Sequence, residues 1–126
     1  MINILVCGSR GYTDKIHIFD VLESFIKSLD KEYSCDEVTI LHGGCHNCAD
    51  EVIDSLRDIE DGIIIKSYPA KWEAYGKQAA YIHNAQMVNA SDYVIAFWDG
   101  KSKGTKMTID LALQNPDVKK VHVENI

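Results

Sequence analysis

The chain has 126 residues, 46% of them hydrophobic and 25% charged, enough for one globular domain over 1–126 with a buried core and no second domain. Its net charge of −6 argues against a general nucleic-acid surface, which needs a basic face to displace counterions, so any phosphate-bearing partner should be small and held locally. No apolar run approaches membrane-spanning length, and Cys7, Cys35, Cys45 and Cys48 are too few and too unevenly spaced for a secreted disulfide framework; a soluble, cytoplasmic protein with reduced thiols and no membrane partner is expected.

Ile2 to Cys7 reads as a first strand rather than a signal peptide. Cys7-Gly8-Ser9-Arg10-Gly11 breaks it before a helix whose apolar face is Ile18, Phe19, Leu22, Phe25, Ile26 and Leu29, with Thr13 or Asp14 as its cap. A polar segment, Lys31 to Glu37, leads to a second strand, Val38 to Leu41, which ends in His42-Gly43-Gly44. A helix from about Ala49 to Glu60 stops at Asp61-Gly62. The following Ile63-Ile64-Ile65 suits a parallel strand covered on both faces. After Tyr68-Pro69 come Lys71, Trp72 and Glu73, and then a long helix from about Tyr75 to Ala90. A strand Tyr93 to Phe97, the loop Trp98 to Gly104, a helix from about Thr105 to Gln114 closed by Asn115-Pro116, and a short strand Val118 to Val123 complete the pattern.

Strand and helix alternate throughout, which implies an α/β protein: a single Rossmann-like domain with a mainly parallel five-stranded sheet in the order 3-2-1-4-5 and helices on both faces. In that order the winding reverses between the first and fourth strands, and ligands bind beyond the strand ends there. The loops that meet at this crevice are Gly8 to Gly11 and Asp99 to Thr105, with His42 to Gly44 one strand away. Gly100 and Gly104 let the backbone turn and leave amide groups uncovered. The helix that follows adds a partial positive charge at its start, and such a site suits a phosphate.

Arg10 can grip a phosphate in bidentate fashion and Lys101 or Lys103 as a point charge, while Ser9, Ser102 and Thr105 offer hydroxyls. On the long helix Lys77, Tyr81 and Asn84 share one face, and Gly76, Ala80, His83 and Met87 the adjacent one. His83 is read as a core or boundary histidine. Trp72 either stacks on a base or fills the core. Cys45-His46-Asn47-Cys48 raises zinc or redox chemistry, yet no second ligand pair and no thioredoxin-like setting accompany it. The two cysteines are therefore read as small residues in a tight turn, with no metal.

Four stretches together carry a resemblance: Val6-Cys7-Gly8-Ser9-Arg10; His42-Gly43-Gly44 with Asp50; Pro69-Ala70-x-Trp72-x-x-x-Gly76-Lys77 with Asn84 and Met87; and Ala96-Phe97-Trp98-Asp99-Gly100-x-Ser102-x-Gly104-Thr105. They resemble the YspA-like branch of the SLOG superfamily, Rossmann-like proteins related to the LOG phosphoribohydrolases and the DprA/Smf proteins. The resemblance implies a nucleotide or nucleotide-derived ligand, with Gly8, Ser9, Arg10, Gly43, Gly44, Asp50, Gly104 and Thr105 in the pocket. It also implies dimers or tetramers, to which Tyr12, Trp72 and Tyr75 could contribute, and no cofactor. Members of the branch occur in phages and plasmids, so sensing or sequestering a signalling nucleotide is the leading expectation. In the LOG branch a glutamate three residues after the Gly-Thr pair and an arginine on the long helix serve N-glycosidic hydrolysis; here Thr108 and His83 stand there. A threonine does not replace a carboxylate in that role. A phosphoribohydrolase working through Asp50 or Asp110 is the alternative, and single-stranded DNA binding of the DprA kind a third reading.

Overall fold

A computed structural model describes residues 2–29, 38–45, 47–55, 63–68 and 76–126. Five strands, β1 (Ile2–Gly8), β2 (Val38–His42), β3 (Ile63–Ser67), β4 (Tyr93–Trp98) and β5 (Lys120–Asn125), form one sheet in the order β3-β2-β1-β4-β5. Every neighbouring pair is parallel, with Ile2 opposite Val38, Ile4 opposite Tyr93, Val38 opposite Ile63 and Tyr93 opposite Lys120. Among the described residues four α-helices accompany them: α1 (Lys15–Leu29), α2 (Ala49–Asp54), α3 (Ala79–Asn89) and α4 (Lys103–Gln114). The chain is thus the doubly wound α/β domain that its alternation implies.

The period of two in β1 distributes the core to both faces. Ile2, Ile4 and Val6 pack with Ile18, Leu22, Phe25 and Leu29 of α1 and Ala49 and Ile53 of α2. Leu5 turns the other way, with Met87 and Val88 of α3 and Ala112 of α4, and Cys7 joins Ala96 and Ile109 there. Four of the six apolar positions expected on α1 are fully buried, Phe19 and Ile26 partly so. Asp14 caps that helix, its Oδ1 accepting the His17 amide at 3.2 Å.

Several boundaries differ from expectation for local reasons. The expected long helix is split: a 3₁₀ turn, Gly76–Gln78, precedes α3, and Gly76 sits at φ 57°, which a continuous helix does not admit. β3 lies at the sheet edge and is not covered on both faces, since Ile65 is buried but Ile64 is 49% exposed. β5 starts two residues later than expected, because Val118 is held in a turn on Asn115 and pairing with β4 begins at Lys120. Among the described residues no helix is long and apolar enough to cross a membrane.

β5, the opposite edge, is fastened by side chains. Glu124 takes His17 Nε2 of α1 and His122 Nε2 on its two oxygens, each at 2.9 Å, and the Tyr12 hydroxyl lies 2.5 Å from His17 Nδ1. Tyr12 also stacks on Phe97. Tyr12 is thus half-buried and engaged within its own chain.

Candidate functional site

All five strands point their carboxyl ends to one rim, so the loops leaving β1, β2 and β4 meet where the winding reverses between β1 and β4. They enclose a cavity of about 510 Å³, a size that suits a small-molecule site. Gly8 forms its floor. A β-carbon there would come within 3.0 Å of Ala49 Cβ and 3.4 Å of Phe97 Cβ, so glycine is what lets α2 and β4 close on the strand end.

One side of the cavity carries two cations, with the Asp99 carboxylate also at its lining. Arg10 and Lys101 line it, and among the described residues no acidic side chain pairs with either. The α4 N-terminus lies beside them with Ser102, Gly104 and Thr105 at the lining, and first-turn amides have no acceptor within their own helix. A β-carbon on Gly104 would meet nothing within 4 Å, so its backbone is open to approach. Asp99 shapes this loop: its Oδ1 accepts the amides of Lys101 and Ser102, both at 2.8 Å, and these bonds hold its carboxyl below the usual range. Trp98 Nε1 donates to the Ser102 carbonyl at 3.1 Å and braces the same turn.

Toward β2 the character changes. Asp50 is 5% exposed and its Oδ2 accepts the amides of Gly43 at 2.9 Å and Cys45 at 3.3 Å. Burial pushes its carboxyl up in spite of those bonds. Facing it from α3 is His83, whose Nε2 is buried with no hydrogen-bond partner among the described residues. Burial pushes that imidazole down from its usual value, against the opposing pull of a Tyr68 backbone bond and of Asp50. The two groups converge on Gly43: a β-carbon there would lie 3.0 Å from His83 Nε2 and 3.3 Å from Asp50 Oδ2. Asn84 lines the cavity too and donates to Met107 Sδ at 3.4 Å, while Thr108, its hydroxyl on the Gly104 carbonyl, closes the floor of α4.

The structure thus brings together Gly8, Arg10, Gly43, Asp50, Asn84, Ser102, Gly104 and Thr105 from the expected set. Ser9 is not at the lining: it is 1% exposed, with its amide on the Phe97 carbonyl and its Oγ accepting the Asp99 amide, so it clamps the two loops together. His42 is likewise turned away, its Nε2 on Asp54 and its Nδ1 accepting the Gly44 amide. Gly44 and Gly100, at φ 74° and 80°, make the turns and stay outside the lining. Lys103 opens onto a different groove, beside Tyr81 and Lys106. Trp72 and the Lys77 side chain lie outside the described residues.

His83 is the half-buried boundary residue expected and also lines the cavity, as do Met87 and Lys101. The spacing of Gly76, Ala80, His83 and Met87 carried that signal, but only the fold shows Asp50 opposite it. The cysteine reading is corrected as well. Cys45 and Cys48 form a disulfide and both line the cavity; Cys7 is a free, buried thiol on its floor. Among the described residues no group of His, Cys, Asp and Glu is arranged to hold a metal ion.

No family model and no solved structure matches the chain. Its sequence is 30% identical over 111 residues, 84% of each chain, to the Gene 61 protein of Mycobacterium phage D29.

Proposed function

The chain belongs to the family of the phage D29 Gene 61 protein, and from its cavity we propose that it binds a nucleotide or nucleotide-derived ligand as a cytoplasmic sensor or sequestering protein. One observation carries this reading: Arg10, Lys101 and the N-terminus of α4 converge, without acidic partners among the described residues, on one side of a cavity of about 510 Å³. A phosphate is the group that uses bidentate guanidinium, ammonium and helix amides together. Asp50 and His83 then face the sugar or base, where a carboxylate accepts from hydroxyl or amino groups. The resemblance to the YspA-like branch of the SLOG superfamily supports the same assignment, and a phage relative fits it. Assembly as a homo-oligomer belongs to this proposal, with Tyr81 of α3 and Leu113 of α4, 56% and 68% exposed, as apolar surface to bury.

Mass spectrometry of small molecules released from natively purified protein tests the reading. A nucleotide-derived compound, bound stoichiometrically and lost from Arg10→Ala, is the expected result. No binding of any nucleotide probed by calorimetry at millimolar concentration refutes it.

A second reading has its own support. Asp50 and the unpartnered Nε2 of His83 face one cavity, and such a pair could move a proton during cleavage of an N-glycosidic bond. Thr108, however, stands where a carboxylate from α4 would be needed. Incubation with nucleoside monophosphates separates the two: intact nucleotide after hours supports binding alone, and free base supports the hydrolase.

A further inference from the structure

The loop from Gly43 into α2 is wound tightly, with Gly44 at φ 74° and Asn47 at φ 57°. That winding brings Cys45 back to Cys48, with Cα atoms 5.7 Å apart and the sulfurs bonded. The same loop reaches both sides of the cavity. The Cys45 amide donates to Asp50 Oδ2, and the Asn47 carbonyl accepts the Gly11 amide at 2.7 Å, next to Arg10. The Asn47 amide in turn donates to Glu51 Oε2 at 2.7 Å. A bridge between residues only three apart closes so short a ring that it constrains the unfolded chain little. As a staple for the fold it is therefore weak; as a clasp on this loop it is well placed.

We infer that Cys45 and Cys48 are a reversible thiol–disulfide couple, reduced by a dithiol, whose state sets the grip of the cavity on its ligand. Control of the ligand rests on the nucleotide reading above; the couple itself does not. Cys45 is the half-buried member and Cys48 lies fully buried behind it, so an incoming thiolate reaches Cys45 Sγ. A bond forms from the thiolate to that sulfur, the Cys45–Cys48 bond breaks, and its electron pair leaves on Cys48 Sγ, which takes up a proton. The second thiol of the dithiol then attacks the mixed disulfide, frees Cys45 and departs as the oxidised dithiol. Cys7 stays out of this exchange because burial, and next Asp50, push its thiol far up and keep it protonated. With the clasp open, the Cys45 amide no longer has a fixed place beside Asp50, and the Asn47 tie to the Arg10 loop loosens.

The test equilibrates the protein in buffers of reduced and oxidised dithiothreitol, alkylates it, and maps the peptides by mass spectrometry, with hydrogen exchange over 43–50 and calorimetry with AMP on the same samples. Cys45 and Cys48 should convert together in one reversible two-electron step. Reduction should raise exchange over 43–50 roughly threefold or more and weaken AMP about fivefold or more. Cys45→Ser should give the reduced values in every buffer. Independent alkylation of the two cysteines in the oxidising buffer, or equal exchange and equal affinity in both states, overturns the inference. If AMP binds neither state while couple and exchange behave as stated, the nucleotide reading falls and the redox couple stands.

Discussion

Two glycines separate what the fold needs from what the ligand needs. Gly104 lies in the first turn of α4 with open space around it, so Gly104→Ala should stabilise the protein by a few tenths to about 1 kcal/mol through helix propensity. The added methyl stands where phosphate is proposed to approach, and affinity for AMP should fall about tenfold or more. Calorimetry and thermal melting read the two effects, and unchanged affinity refutes that placement. Gly43→Ala behaves oppositely, because its methyl would lie 2.7 Å from His83 Cε1. Stability should drop by about 1–3 kcal/mol as His83 is displaced. That glycine loops from three strand ends meet at one rim was legible in the sequence, because the strand order follows from the alternation of elements. The division of labour among them was not, since Ser9 and His42 differ from Arg10 and Asp50 only in which way each side chain turns from the rim.

At the level of elements, sequence periodicity located the five strands and four α-helices of the described residues, since an apolar stripe of period two or 3.6 survives without knowledge of neighbours; the expected continuation of the second helix to Glu60 and its stop at Asp61-Gly62 lie outside those residues. Boundaries and edges were less legible because they depend on pairing. β5 begins where β4 offers partners, and β3 is half bare because nothing in the order of isoleucines says that it is an edge. The clasp on β5 depends on residues from three elements and was invisible in the sequence. Glu124, held below the usual carboxylate range by its bonds to His122 and His17, joins β5 to α1. Glu124→Ala should cost about 1 kcal/mol, the value being modest because the group is partly solvated. It should also raise exchange in β5 selectively, measured by hydrogen exchange; a uniform rise over the sheet would show that the clasp is not local.

Over the whole molecule, the buried pair in the cavity sets opposite limits on stability with pH. Asp50 has a raised folded value, so its contribution is held below the usual aspartate range and lost as pH rises through that raised value. His83 has a lowered one, so its contribution is present above 6.5 and lost as pH falls through the lowered value. Melting temperature should therefore fall on the acid side in part through His83, and His83→Gln should flatten that limb. Asp50→Asn should raise the melting temperature near neutrality while weakening AMP, the trade expected where a site is built against stability. A variant that gains stability and keeps full affinity would show that the Asp50 charge has no part in binding.

The strand order also governs how the chain is born. β1 is synthesised before β4, yet Ile4 waits for Tyr93, so the centre of the sheet has one open side until β4 has been made. Both walls of the cavity flank that late seam, so a product ending before β4 has no cavity, and under the proposed function such a fragment binds no nucleotide.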